Sequence, residues 1–504
     1  MKARAGRQYD VVVCGGGPSG FIAAVAAARC GARTLLLEQY GFLGGMPTAA
    51  SLGPISPFHF GDEQVIKGIP QEFVDRMVLV GGSTGHLRCT NPHGSGNYLC
   101  FYDREYYKWI ALGMLREAGA DILFHASVIG PLQEGAAVRG VSYLTKSGVE
   151  EVACSVVVDA TGDGDIAARA GAEVVLGRES DGMLQPGTLM FDMGKVDVGA
   201  LKRYMDSQRD EFEWTSECVA LRPFSKELVQ QHFVGQGFSG LVRHARSTGE
   251  LYLGRDSILF LTTLHAGVVH FNSTRITGLD GTSGRSFSEG EEEGRHQVMS
   301  LVEFLKRYIP GMENAYLAAT GTQIGVRETR HIVGEYVLSG DDVVRGAKFP
   351  DVVARGYFPI DIHSPSGAGG YGAGSVWTVP EDSYDIPLRC LIPKELDGLV
   401  VAGRSISATH EAHGSLRTQG GVMAIGQAAG TVAGLASLAG VEPRVIAAEE
   451  VQRVLVSQGA SLWRDGAVAA AEARAAESAT RAAVASGAIT GLHFGRPGSR
   501  APRL

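Results

Sequence analysis

The chain has 504 residues, 44% hydrophobic and 20% charged, with a formal net charge of −8. That acidic balance, without any basic stripe, argues against a nucleic-acid backbone as partner, and no apolar run approaches the ~20 residues that span a bilayer. The 69 glycines are scattered over turns, which excludes collagen-like and low-complexity classes.

This length predicts two domains. The opening "MKARAGRQYD" is basic but carries no apolar signal region, so the cytoplasm is the expected compartment. The seven cysteines (14, 30, 89, 100, 154, 218 and 390) are odd in number and contain no C-x-x-C, which predicts neither a disulfide framework nor a zinc site.

Tyr9 to Cys14 is a short, β-branched apolar run, as in a strand buried on both faces. Gly15, Gly17 and Gly20 then form G-x-G-x-x-G, followed by the alanine-rich helix "FIAAVAAARC", closed by Gly31. A second strand, "TLLLE", ends in Glu38. Gly15 permits the tight turn, Gly17 lets a pyrophosphate approach the backbone, and Gly20 lets helix and strand pack closely. The helix start offers free N–H groups to phosphates, and an acid at Glu38 suits ribose hydroxyls. Strand, turn, helix, strand and acid in this order predict a dinucleotide site rather than an ordinary glycine-rich turn.

After Glu38 the chain enters a loop with Gly41, Gly44 and Gly45, where an NAD domain usually proceeds to another helix. A larger ligand would need such backbone beside it; a plain surface loop is the competing reading. Strands joined by turns at Gly130 to Gly140 and at Lys146 to Gly148 follow. Ser155 to Asp159 is a buried strand running into the turn "ATGDGD", at the same predicted sheet edge as the first.

The middle of the chain mixes strands ("SILFLTTLHAGVVHFNSTRI"), a helix ("QVMSLVEFLKRYI") and the charge run "EGEEEGRH", read as a solvated helix face. Polar residues there include Arg327, Glu328 and Arg330 of "GVRETRH", and Asp361 and His363 of "DIHSP". "GAGGYGAGS" reads as a lid or a surface loop, and Tyr384 and Asp385 follow it. Leu399 to Ala402 is a short strand leading to Gly403-Arg404 and a polar loop with His410, His413 and Arg417. A small-residue helix begins near Gln419-Gly420-Gly421.

These stretches resemble the FAD-dependent oxidoreductase family of the glutathione-reductase-like flavoprotein superfamily. The matching segments are "GGGPSG…LLLEQYGFLGG", "VVDATGDGDIAARAGAE", "GVRETRHIVGEYVLSGDDV", "FPIDIHSP" and "YDIPLRCLIPKELDGLVVAGRSISATHEAHGSLRTQGGVMAIGQAAG". The resemblance implies FAD stretched across one domain. Gly15, Gly17, Ser19 and Gly20 would hold its pyrophosphate and Glu38 its adenosine ribose. Gly44, Gly45 and Thr48 would lie along the diphosphate-to-flavin portion, and the Val128 backbone at the adenine. Thr161, Gly162 and Asp163 would close over the nucleotide. Gly403 and Arg404 would lie near the ribityl chain, with Gln419, Gly420 and Gly421 at the flavin pyrimidine edge. Met46-Pro47 departs from the smaller residues of relatives, which leaves the contacts there open. Some related flavoproteins bind flavin covalently through a histidine in this loop; none occurs between Glu38 and Gly53, so non-covalent FAD is expected.

The expected fold is α/β: a Rossmann-like FAD-binding domain (1–175 and 396–445) with an inserted α+β substrate or cap domain (176–395). A helical segment (446–490) and a disordered tail (491–504) complete the chain. The expected activity is an FAD-dependent oxidoreductase transferring a hydride between a small organic substrate and flavin N5. His413, Arg417 and His363 are the candidate catalytic groups, with His410 as a further proton carrier. Arg327, Tyr371 and Tyr384 are candidate substrate contacts. No metal, nucleic-acid or membrane partner is expected, and oligomeric state stays open. Two competing readings remain, a non-redox or RNA-modifying flavoprotein of the same superfamily and an NAD dehydrogenase.

Overall fold

Val11–Cys14 (β1) has no solvent-exposed residue, as its unbroken β-branched run requires of a strand covered on both faces. The computed structural model describes residues 9–56, 58–89, 98–219, 231–365 and 375–463. β1 runs into helix α1 (Pro18–Arg29), then strand β2 (Thr34–Glu38). Asp121–Phe124 (β3) and Val156–Asp159 (β4) follow in the same sheet. Phe191–Gly194 (β5), Phe212–Val219 (β6), Gln231–Gly237 (β7), Ile258–Thr262 (β8) and Val269–Phe271 (β9) belong to a second sheet. Then come helix α2 (Gly284–Tyr308), strand β10 (Tyr316–Thr320) of the second sheet, and strand β11 (Leu399–Val401) of the first. Helices α3 (His410–Leu416) and α4 (Gln419–Ala439) lead out of β11.

The first sheet has the order β11-β4-β1-β2-β3, with every pair parallel. Cys14 is in register with Asp159 on one side and Leu37 on the other, and Asp159 with Val401. The turns after β1, β4 and β11 therefore open at one edge, where ligands of such sheets bind. The predicted Rossmann-like α/β fold with an additional α+β portion is the fold observed.

The second sheet is antiparallel, in the order β6-β7-β8-β9-β5-β10. Phe191, Phe260 and Phe271 from it form one core with Val298, Leu301 and Leu305 of α2. The helix expected over Gln297 to Ile309 is only the second half of α2, and the charge run belongs to its first half. Ser283 caps the start by accepting the Ser286 N–H. Gly290 and Gly294 within that run are packing positions: a Cβ on Gly294 would lie 2.8 Å from Leu189.

Residues 127–134, 137–145 and 148–153 form an antiparallel meander. Gly130 and Gly140 lie inside its strands rather than in the turn; a Cβ on Gly140 would meet Val152 O at 2.2 Å. The predicted polar loop before α4 contains α3, whose start is capped by Thr409 accepting the Ala412 N–H.

Two expectations are corrected. Cys89 and Cys218 form a disulfide, although they are 129 residues apart and share no spacing motif. α4 is also long and apolar enough by composition to cross a membrane, contrary to the expectation that no apolar run approaches that length. Most of it is buried within the protein, as befits a core helix.

The described residues up to Leu462 form one compact unit. It includes helix Ala448–Ser457. Trp463 opens a second unit; the expected alanine-rich helix and tail, like Tyr371 and most of "GAGGYGAGS", lie outside the described residues.

Candidate active site

A cavity of about 630 Å³ runs from the turn after β1 to the start of α4. At one end lie Gly15, Gly17, Ser19 and Glu38. Gly15 has φ +98°, and a Cβ there would lie 2.5 Å from Ala160 O. A Cβ on Gly20 would lie 1.8 Å from Gly15 O, so Gly20 serves the strand–helix contact and does not line the cavity. Glu38 accepts the N–H groups of Gly16 and Tyr40, each at 2.7 Å. Burial pushes its carboxyl up, against the pull of those donors.

Gly45, Met46 and Pro47 line the cavity wall beyond Glu38, and Val128 borders the same cavity. Gly44 and Thr48 do not reach it; the Thr48 hydroxyl donates to Leu43 O at 2.8 Å. Thr161, Gly162 and Asp163 form part of the wall, in a turn organised by Asp159. The buried Asp159 carboxylate accepts from Thr161 Oγ1 (2.7 Å) and from the N–H groups of Ile166 and Ala167 (both 2.9 Å). Thr161 therefore shapes the turn with its side chain.

Gly403 and Arg404 continue the wall from β11. Arg404 is ion-paired with Asp163 and donates to Val326 O at 3.1 Å. Gln419 lines the cavity at the start of α4, while Gly420 and Gly421 pack against Phe58 and Leu416 instead. Ser19 Oγ, Arg404 Nε and Gln419 Oε1 are buried with no hydrogen-bond partner among the described residues. Since buried polar atoms are nearly always partnered, these three fit a cofactor bearing hydrogen-bonding groups along its whole length.

At the far end, Arg327, Asp361, His363 and Arg417 converge. Arg327 donates to Pro186 O (2.5 Å) and Thr188 Oγ1 (2.7 Å). Arg417 donates to Asp361 O at 2.9 Å, and its terminal nitrogen lies 3.5 Å from Asp361 Oδ2. Burial, then the charges of Arg417 and Arg275, push Arg327 down to about 9. Burial pushes the Asp361 carboxyl up, yet His363, Arg417 and Arg327 together hold it down at about 2. Burial drives His363 to about 3, so it is a neutral imidazole at neutral pH.

His413 and Tyr384 stand apart from the cavity. His413 is fully buried beside Glu328 and His331. The Tyr384 hydroxyl is 2.6 Å from Ser415 Oγ, inside the protein. His410 binds Glu328 Oε1 through Nδ1 at 2.7 Å.

Sequence reasoning missed Gln185, whose Oε1 accepts the His363 N–H at 3.2 Å, and Asn272, which lines the cavity. Neither belongs to a motif. A second cavity of about 200 Å³ shares Leu52 and Pro54 with the first. His270 lines it, with Nδ1 2.7 Å from Asp192 Oδ1.

A parallel sheet with three glycine turns opening on one elongated cavity defines a dinucleotide-cofactor enzyme. The chain belongs to the FAD dependent oxidoreductase family, matching it over residues 10–455. It is 27% identical over 213 residues to a digeranylgeranylglycerophospholipid reductase of Methanoculleus marisnigri, covering 40% of this chain and 50% of that protein. It is 37% identical over 172 residues to digeranylgeranylglycerophospholipid reductase 2 of Methanothermobacter thermautotrophicus, covering 33% and 43%. The matches thus span half or less of these curated relatives. Among solved structures, a geranylgeranyl bacteriochlorophyll reductase-like protein from Thermoplasma acidophilum aligns with TM-score 0.42 and 13% identity, over 90% of this chain and 87% of that one. The myxobacterial chondrochloren halogenase CndH aligns with TM-score 0.43 and 14% identity, over 94% and 91%. The protein is an FAD-dependent oxidoreductase, and FAD is its cofactor.

Proposed function

We propose that the enzyme transfers a hydride between a small organic acid and flavin N5, with Arg327 and Arg417 receiving the acid's negative charge. The observation that carries this reading is the pair of guanidinium groups at one end of the cavity, with Asp361 as the carboxylate beside them. Arg327 is buried among other cations, and an anion arriving there relieves that unfavourable field.

On this reading Gly15, Gly17 and Ser19 lie along the cofactor's pyrophosphate, Glu38 at its adenosine ribose and Val128 at its adenine. Arg404 and Gln419 extend toward the flavin, held without a covalent bond. FAD supplies the redox chemistry, taking up or returning two electrons with a hydride at N5. The first N–H groups of α4 present partial positive charge to the cavity. Arg417 adds a full charge at the same end. Neutral His363 takes a proton from the substrate or returns one, with Asp361 stabilising its charged form. Leu52, Met190 and Phe358 exclude water from that end of the cavity.

Gly17 tests the cofactor placement. A Cβ there would approach nothing closer than Gly45 Cα at 4.0 Å, and its φ of −66° suits any residue. The fold itself does not require glycine. Gly17→Ala is expected to keep the melting temperature of the apoprotein and to weaken FAD binding at least about tenfold, or about 1.4 kcal/mol. Fluorescence-quench titration of apoprotein with FAD measures this.

The reaction itself is tested by mixing the oxidised and the dithionite-reduced holoenzyme anaerobically with hydroxy, amino and α,β-unsaturated carboxylic acids. The methyl ester of each serves as control. An acid is expected to bleach or restore the visible flavin band while its ester does not. No spectral change with any acid would overturn the proposal.

A further inference from the structure

We propose that Glu328, His331 and His413 form a binding site for one divalent transition-metal ion of the zinc or ferrous class, outside the flavin cavity. One donor atom from each lies within 4.8 Å of the others, and all three residues are buried. His331 Nε2 is 3.0 Å, and His413 Nδ1 4.0 Å, from Glu328 Oε1. The two imidazoles stand nearly perpendicular, at 81° with centroids 4.5 Å apart. Donors bonded to one ion at about 2.0–2.2 Å sit roughly 3–4 Å from one another, so a small inward movement of His413 completes the set.

Hydrogen bonding alone leaves this cluster incomplete. Glu328 Oε1 already binds both His331 Nε2 and His410 Nδ1. Both ring nitrogens of His413 are buried with no partner among the described residues, as is His331 Nδ1. Each unpaired buried nitrogen is unfavourable, and a metal ion takes up one on His413. His410 and the Gln185 N–H, which donates to Glu328 Oε2 at 3.2 Å, would act as outer partners fixing the carboxylate.

The donor chemistry selects the ion. Two imidazoles and one carboxylate suit Zn²⁺ or Fe²⁺, whereas Ca²⁺ and Mg²⁺ prefer all-oxygen sets. None of the three residues lines the flavin cavity. Glu328 directly follows Arg327, and the Arg417 N–H donates to His413 O at 3.2 Å. The ion would tie the 327–331 segment to α3 and so hold both cavity arginines. Its role is positional, and it stands whether or not the proposed hydride chemistry does.

The test is metal analysis of tag-free holoenzyme by inductively coupled plasma mass spectrometry, after expression in zinc- or iron-supplemented medium. Near-stoichiometric zinc or iron is expected, falling to trace in His413→Leu while the flavin spectrum persists. Glu328→Gln and His331→Leu should behave alike. If variants fail to fold, wild type stripped with a chelator and reloaded with Co²⁺ answers instead, and visible d–d bands are expected. Wild type that neither retains zinc or iron nor binds Co²⁺ would overturn the proposal. So would a His413→Leu protein with undiminished metal.

Discussion

Gly430→Ala is expected to yield little folded, flavin-loaded protein. An added Cβ would lie 2.0 Å from the backbone oxygen of Ala23, well inside any tolerable contact. The position is one of three on the same face of α4. A Cβ on Gly426 would meet Ser19 O at 2.2 Å, and one on Gly434 would meet Ala27 O at 3.2 Å. These glycines recur every four residues and face Ser19, Ala23 and Ala27, which recur every four residues on α1. The two helices thus touch backbone to backbone. Both also begin at the cavity, where Ser19 and Gln419 line the wall. No rotamer change relieves the clash, so the helices must separate and carry both helix starts with them. A loss exceeding about 4 kcal/mol is expected, in the range of severe overpacking and backbone strain. The melting temperature and the flavin-to-protein absorbance ratio report it. Gly113→Ala, in open space on helix Arg104–Ala118, is the control and should be neutral or stabilising by up to about 1 kcal/mol. If Gly430→Ala melts like wild type, the close helix contact is wrong.

Arg417→Met should keep FAD bound and lower turnover by about 10²–10³-fold, the usual size of losing one preorganised charge at a reacting centre. Arg417 is held by Asp361 O and Gln185 Oε1, and its Nε has no partner among the described residues. It is therefore aimed by the protein yet keeps donor capacity for the cavity. A substrate-independent readout separates this role from general damage. Removing a positive charge near the flavin disfavours the reduced, anionic cofactor, so the midpoint potential should become more negative by about 30 mV or more, a tenfold change in the two-electron equilibrium. Arg417→Lys should recover much of the potential, because the charge returns, and less of the turnover, because the fork geometry does not. An unchanged potential in Arg417→Met would remove the residue from the flavin's surroundings.

The dinucleotide turn, Glu38, the strand before "ATGDGD" and the start of α4 were legible because each is a local pattern of a few residues. Gly15 and Gly20 reveal themselves through what their missing side chains permit. The same local view read "EGEEEGRH" as a solvated helix face, whereas its Gly290 and Gly294 are packing positions of α2 against Leu279 and Leu189. It could not pair Cys89 with Cys218, nor see that α3 turns His413 into the protein toward Glu328 while Arg417, one turn on, reaches the cavity. Tyr384 shows the same limit: its neighbour in the chain order gave no hint that Ser415 covers its hydroxyl. Gln185 and Asn272 carry no motif at all, and only the fold brings Gln185 to Arg417 and Asn272 to the cavity wall.

The contact between α1 and α4 has a consequence for how the chain is made. The ribosome completes α1 some four hundred residues before it reaches α4. At roughly 5–20 residues per second, that interval is on the order of 20–80 s. Throughout it, the face of α1 formed by Ser19, Ala23 and Ala27, all buried in the finished protein, lacks the helix that covers it. The nucleotide-binding half is therefore assembled last although it is encoded first. A nascent chain released before residue 440 would leave that face of α1 uncovered, and the cell must shelter the surface until synthesis ends.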